Sequence, residues 1–151
     1  GMTALHDAIS KAAEELKKRD ERRRAIIVIS DGADTISRSS ADKALKAAMS
    51  ADALIYTVDM SAIETGGKER MQNQGVLRNF AEKSGGKFIA APGGAALRQA
   101  FKGIVEELGL QYTIGYEPVD QQKDGKWRAI ELKVSRPNLT IRTRKGYTAS
   151  K

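Results

Sequence analysis

Several side chains on which protein chemistry often depends are absent or scarce in this 151-residue sequence. Cysteine is absent, which excludes disulfides, thiolate metal sites and cysteine nucleophiles. His6 is the single histidine, and a lone histidine is more often a packing residue than a ligand or a base. No apolar run approaches the ~20 residues that a membrane-spanning helix needs. Apolar residues nevertheless make up 40% of the chain, which is enough for a folded core.

The net charge of +7 arises in the C-terminal part of the chain. Residues 123–151 contain nine Lys or Arg and two acidic residues, whereas the remaining 17 basic and 17 acidic residues cancel. Such a tail is typical of a solvated hairpin, but also of a surface for nucleic acid, an anionic glycan or a membrane. Its candidate binding residues are Arg142, Arg144 and Lys145. The aromatic residues lack the spacing of RNA-binding motifs, which disfavours nucleic acid as the partner.

The first part of the chain has the pattern of a parallel α/β sheet. Three short apolar runs, at 25–29, 54–58 and 87–90, are each followed by a helical pattern. The runs do not alternate, as expected for strands that are covered on both faces. Of the four predicted helices, the last has the clearest apolar stripe, formed by Leu97, Ala100, Phe101, Ile104, Val105 and Leu108. Ser39 and Asp42 predict a capping box at the second helix, and the polar segment 60–75 predicts a loop.

The pattern changes after Gly109. Apolar and polar residues alternate in 112–117, 130–134 and 139–142, and a period of two predicts strands with one exposed face. We therefore expect two regions. Residues 1–109 would form a Rossmann-like, three-layer α/β/α parallel sheet, and residues 110–151 would add an antiparallel β meander of about three strands.

An acidic residue, Asp31, directly follows the first apolar strand and Ser30. Ligands of open parallel sheets bind beyond the carboxyl ends of the strands, and Asp31 lies at such an end. Three roles remain open for it: ligand of a hard metal ion, nucleophile in phosphoryl transfer, or cap of the following turn. Asp34 follows after two intervening residues, whereas haloacid-dehalogenase-like phosphatases separate their two aspartates by one. Asp59 ends the next strand, and we expect it to have a turn role.

Thr3, in a Gly-x-Thr context ahead of the first helix, could be the helix N-cap or could offer its hydroxyl to a cation. With Thr3 and Asp31 together, the sequence resembles a von Willebrand factor type A (VWA) domain, whose metal-ion-dependent adhesion site takes a Thr and an Asp from two such loops. The resemblance extends through "ALIYTVDMS" and "GGKFIAA". The tail that ends in "RKGY" is similar to the tail of a subgroup of secreted bacterial proteins with VWA domains.

The resemblance implies a non-catalytic, adhesion-type protein-binding module. In the intact family, Mg²⁺ or another divalent cation keeps an open coordination position for a carboxylate of the partner. Thr3 and Asp31 would then be metal ligands, and Asp34 would either support them or cap a loop. The family's Asp-x-Ser-x-Ser signature is absent. The chain therefore corresponds to the C-terminal portion of the domain with its first strands missing, and we expect its cation binding to be weak or absent.

The resemblance further suggests an extracytoplasmic or secreted protein with a protein partner whose identity stays open. Without the family's preceding strand, residues 25–29 would form a sheet edge, and such an edge recruits another strand. We expect a homodimer through residues 25–29, with the chain's own tail as the alternative cover. Two other functions stay open: a phosphoryl-transfer enzyme that uses Asp31, and a binder of anionic polymers or nucleic acid through the basic tail.

Overall fold

The computed structural model describes residues 3–30, 34–61 and 67–149. Helices and strands alternate through the body, in the order α1 Leu5–Lys17, β1 Arg24–Ser30, α2 Ala41–Ser50, β2 Ala53–Asp59, α3 Lys68–Ser84, β3 Phe88–Ala90 and α4 Gly94–Gly109. The tail contributes β4 Trp127–Ala129 and β5 Gly146–Thr148. The mixed α/β class is confirmed, as are the three predicted strands and four predicted helices of the body.

The three body strands form one parallel sheet in the order β1-β2-β3. β1 pairs with β2 along its whole length, from Arg24 opposite Ala53 to Ser30 opposite Asp59. β2 is therefore the central strand, and nearly all of its residues are buried. Among the described residues β1 has a neighbouring strand on one side only, so its outer edge is free of strand pairing.

The helices cover the two faces of the sheet unequally. α1, α2 and α3 pack on one face, around a core that includes Ile26, Ile55 and Phe80. α4 packs on the other face, where Tyr56 and Ile104 are buried. The result is a three-layer α/β/α arrangement in which one described helix covers the second face. That helix leaves part of β1 uncovered, and Ile29 is 41% exposed.

Two boundaries differ from the sequence prediction. α3 begins at Lys68, so the predicted loop over 60–75 was wrong for residues 68–75; residues 62–66 lie outside the described residues. The first turns of α3 are polar and include Gly75, so they lack the apolar period from which a helix is predicted. The N-cap of α2 is Ser40 rather than Ser39, because the Ser40 hydroxyl accepts the hydrogen bond from the Lys43 N–H (3.3 Å).

The tail forms a two-stranded antiparallel sheet rather than a meander at the predicted positions. Trp127 of β4 lies opposite Thr148 of β5, and Ala129 lies opposite Gly146. The alternating segments have no assigned strand; they are 112–117, 130–134 and 139–142. Alternation marks a segment with one apolar face, but a strand also needs an in-register partner for its N–H and C=O groups. The described tail supplies continuous strand pairing to β4 and β5, and beyond them the Ile130 N–H donates to the Lys145 carbonyl oxygen (2.9 Å).

Candidate functional site at the carboxyl edge of the sheet

The carboxyl ends of β1 and β2 lie side by side, at the edge where the sequence predicted a cation site. Ser30 ends β1 opposite Asp59 at the end of β2, and the Met60 N–H donates to the Ser30 carbonyl oxygen (2.8 Å). Asp31 follows Ser30 in the chain but lies outside the described residues. Its predicted role as a metal ligand therefore stays a prediction.

Thr3, the second predicted ligand, lies beside the loop that follows β1. Its N–H donates to Thr35 Oγ1 (2.7 Å), and its carbonyl oxygen accepts from the N–H groups of Thr35 (2.9 Å) and Ile36 (3.2 Å). These bonds bring the segment before α1 close to residues 35–36, which lie between β1 and α2. The alternative role of Thr3 as the helix N-cap was wrong, because the N-cap is Ala4, which makes no side-chain capping bond.

Asp34 caps α1 from this loop. Its Oδ2 accepts from the His6 N–H (2.8 Å), one of the N–H groups that a helix N-terminus leaves without an intrahelical partner. The same carboxylate accepts from the Ser37 N–H (3.0 Å) and hydroxyl (2.5 Å). Burial opposes the charge, but these hydrogen bonds outweigh it and hold the pKa of Asp34 below its usual value. Of the two roles considered for Asp34, its contacts match the cap.

Asp7 makes the reciprocal contact from the helix to the loop. Its carboxylate accepts from the N–H groups of Arg38 and Ser39, at 2.9 Å each, and these bonds lower the pKa of Asp7. The Asp7 N–H in turn donates to Ser37 Oγ (3.1 Å). The first turn of α1 and the loop 34–39 therefore satisfy each other's backbone donors, which fixes the position of this edge of the sheet.

His6 packs against the same loop. Its Nδ1 lies 3.2 Å from the Ser39 carbonyl oxygen and 3.5 Å from Asp34 Oδ2. The imidazole ring is tilted against the Phe80 ring, with 5.9 Å between the ring centroids. Nε2 is buried and has no hydrogen-bond partner among the described residues. These contacts are those of a packing residue, as expected for the lone histidine.

Asp59 ties the end of β2 to the following turn and to α3. Its Oδ1 accepts from the Ser61 N–H (2.9 Å) and hydroxyl (2.7 Å), and its Oδ2 accepts from the Gln74 side-chain amide (2.7 Å). Burial raises the pKa of Asp59, but these bonds and the Arg70 charge outweigh burial and lower the pKa overall. The predicted turn role is confirmed. The contact with Gln74 was missed because that part of α3 was predicted to be a loop.

The described carboxylates at this edge are therefore occupied by hydrogen bonds within the protein. Within residues 3–30, 34–61 and 67–149, no group of three or more His, Cys, Asp or Glu side chains could hold a metal ion. Mg²⁺ gives up its water reluctantly and needs several oxygen ligands at once. Thr3 and Asp31 would need further oxygen ligands, and the described residues by themselves do not fit a bound Mg²⁺.

The basic tail is ion-paired to the body of the protein. Arg142 pairs with Glu107 of α4, and Arg144 Nη1 lies 2.8 Å from Oδ1 of Asp52, in the turn between α2 and β2. Lys145 is exposed. Two of the three candidate binding residues are thus paired with the protein's own acids, which weakens the case for an anionic polymer at this surface.

Glu107 also links the tail to the central strand. The Tyr56 hydroxyl of β2 donates to Glu107 Oε1 (2.7 Å), and the Gln111 side-chain amide donates to the Tyr56 oxygen (3.1 Å). Burial and the neighbouring carboxylate raise the pKa of Tyr56 to about 12. Burial opposes the charge of Glu107, but its bonds with Arg142 and Tyr56 outweigh burial and lower its pKa. The hydrogen bonds of Tyr56 with Glu107 and Gln111 were not predicted from the sequence. The available signal was the presence of a tyrosine in a buried strand.

No family model matches the chain, and no curated protein matches it. Among solved structures, the chain is similar to the crystal structure of an uncharacterized membrane spanning protein from Vibrio fischeri, with 24% identity and a TM-score of 0.48. The match covers 58% of this chain and 48% of that one, so the chain spans about half the length of that protein. In the described part of the present chain, no helix is long and apolar enough to cross a membrane.

Proposed function

We propose that this chain is a non-catalytic protein-binding module of the VWA type, and that its binding element is the outer edge of β1. The proposal depends on one observation: among the described residues, β1 is paired on one side only, and Ile29 on it is 41% exposed. An unpaired edge offers a row of N–H and C=O groups to another strand. Strand addition at such an edge is a common mode of protein recognition.

A binding role rather than a catalytic one is supported by the acids at the carboxyl edge. The oxygens of Asp34 and Asp59 accept hydrogen bonds from the surrounding loops, and both pKa values lie below the usual range. Such groups are poorly suited to act as general acids, and the oxygens that a base or nucleophile would use already accept hydrogen bonds within the protein. The phosphoryl-transfer alternative depends on Asp31 alone, and no described residue supports it.

The VWA assignment is supported by the contact between Thr3 and the loop after β1, since the resemblance requires those two loops to be close. The resemblance also implies further oxygen ligands for the cation. We therefore predict no measurable heat when Mg²⁺ is added at sub-millimolar concentration in calorimetry, an order-of-magnitude bound that follows from the few available ligands. A stoichiometric isotherm that Asp31→Ala abolishes would contradict this expectation.

A second copy of the chain is the proposed occupant of the β1 edge. The alternative occupant, the tail, pairs within itself as β4 and β5 and is bound to the α2–β2 turn through Arg144. β1 contains no Pro or Lys that would block the addition of a strand. Two copies of β1 related by a two-fold axis would pair in antiparallel orientation, and Ile29 of each copy would be covered.

Light scattering coupled to size-exclusion chromatography tests this proposal. We expect the parent chain to be a dimer and Ile29→Lys to be a monomer, because a charge on the edge opposes strand addition. Ile114→Lys is the matched control, since Ile114 is 63% exposed and lies outside β1. A monomeric parent at high micromolar concentration, or a dimer that survives Ile29→Lys, would contradict the proposal.

A further inference from the structure

A groove of about 1210 Å³ lies between α2 and the tail sheet. One wall is a face of α2 that carries Asp42, Leu45, Lys46 and Met49, at positions i, i+3, i+4 and i+7. The opposite wall is formed by the tail, including Trp127 and Tyr147. The groove shares no residue with β1, so it is a second surface, separate from the proposed strand-binding edge.

Trp127 forms an aromatic wall whose position depends on Gly146. A Cβ atom on Gly146 would lie 2.5 Å from Cζ2 of the indole and 2.3 Å from the Arg128 carbonyl oxygen, so only glycine lets the ring lie against β5. Trp127 nevertheless stays 51% exposed. Beside it, Tyr116 is 55% exposed and contacts Tyr147 edge-on, with 6.4 Å between ring centroids. Aromatic side chains that are already positioned lose little entropy when they bind a ligand.

The apolar floor of the groove comes from α2. Leu45 is 5% exposed and belongs to the main core, whereas Met49 is half-buried at the edge of that core. A methionine side chain is flexible and polarizable and adapts to different apolar partners. Met49 and Trp127 therefore supply accessible apolar surface in the groove, on which one aliphatic or aromatic side chain can rest.

Lysine side chains give the groove its charge. Lys46, Lys83 and Lys145 line it, and none of them forms an ion pair with another described residue. Arg144 also lines the groove but is paired with Asp52. The remaining acid is Asp42, so three unpaired positive charges and one negative charge leave a net charge of +2. An apolar floor surrounded by lysines complements a ligand whose carboxylates flank an apolar group.

We propose that this groove binds an acidic peptide segment of a partner protein. An aliphatic or aromatic side chain of the segment rests against Trp127 and Met49, and its carboxylates lie near Lys46, Lys83 and Lys145. A peptide suits the groove better than an acidic polysaccharide does, because Met49 offers sugar hydroxyls only a weakly accepting thioether.

Trp127 is the one tryptophan of the chain, so its fluorescence reports on the groove directly. The probe is a short synthetic peptide of glutamates with two central leucines, which is titrated into the full chain at low salt. We expect a saturable change in the emission. The double variant Lys46→Glu/Lys145→Glu should weaken binding by about tenfold or more, since it reverses two charges that face the ligand.

Lys11→Glu/Lys17→Glu is the matched control, because it makes the same charge change at two exposed positions of α1 that do not line the groove. Equal losses in the two double variants would show that binding follows net charge alone, which would overturn the proposal. The absence of a saturable change would also overturn it, as would tighter binding of a uronic acid oligosaccharide.

A second variant tests the apolar contact. Met49→Gln keeps the length of the side chain but makes it polar, so unchanged affinity would contradict the proposed contact between Met49 and an apolar side chain of the peptide. None of these readouts depends on dimerisation, so this test and the light-scattering test can fail separately.

Discussion

Ile104 is the side chain of α4 that is most deeply buried on the second face of the sheet. It is 1% exposed and packs in a cluster with Tyr56, Val58 and Ala100. Within the described residues α4 is the one helix that packs on this face. A cavity at Ile104 would therefore open beneath a single helix, with no second helix to fill it. We predict that Ile104→Ala strongly destabilises the fold.

The magnitude follows from the atoms that are removed. The substitution deletes three carbon atoms, and at about 0.8 kcal/mol for each buried methylene-sized group the transfer contribution is about 2.4 kcal/mol. The remaining cavity adds to this, and isoleucine-to-alanine changes in cores cost about 2–5 kcal/mol in total. Such a loss is a large fraction of the roughly 5–15 kcal/mol by which a small domain is stable.

Urea unfolding followed by circular dichroism measures this loss. The control is Val105→Ala, at the next position of the same helix, where the side chain is 62% exposed and the expected change is below about 0.5 kcal/mol. Phe101 shares the predicted apolar stripe but is only half-buried, so Phe101→Ala should cost less than Ile104→Ala. Equal midpoints for Ile104→Ala and Val105→Ala would refute the docking of α4 through this face.

Three further predictions concern the polar contacts. Asp34→Ala should lower the free energy of unfolding by about 0.5–2 kcal/mol, as the loss of a helix cap does, and Asp34→Asn should recover part of this in the same urea assay. Because hydrogen bonds lower the pKa of Asp59, its stabilising contribution is present above the unfolded pKa and is lost as the pH falls through the folded pKa. Thermal melts in increasingly acidic buffers should thus show a smaller acid-induced loss for Asp59→Asn than for the parent, and identical pH profiles would contradict this. Arg144→Ala should cost no more than about 1 kcal/mol because its ion pair with Asp52 is exposed; a larger loss in urea would mean that the pair fixes the tail.

The body of the fold was predictable because its signals are local. β2 is a short apolar run, since a strand between two layers of helices is buried on both faces, and β1 is equally apolar although one of its faces is partly uncovered. The capping of α1 was not predictable in this way. Asp34 and His6 are 28 residues apart in the sequence, and only the folded chain places the loop beside the helix. The sequence left both roles of Asp34 open, because the choice depends on that contact.

In the tail, by contrast, a clear local pattern did not predict where the strands form. Its alternating segments carry a clear period of two, yet the strands that form are β4 and β5, which lie outside those segments. Periodicity describes one segment at a time, whereas strand formation depends on which two segments meet in register. The aromatic wall likewise depends on Gly146 lying opposite Ala129 and next to the Trp127 ring, a relation that no single stretch of sequence displays.

The links between the tail and the body have a consequence for proteolysis. Residues 110–126, between α4 and β4, are largely exposed and have no regular secondary structure, which is typical of a segment that proteases cut. The chain beyond this segment contacts the body through two ion pairs, Arg142–Glu107 and Arg144–Asp52. It also makes a backbone hydrogen bond, which the Lys145 N–H donates to the Lys83 carbonyl oxygen. A cut in this segment would therefore leave the C-terminal fragment held to the body by non-covalent contacts alone.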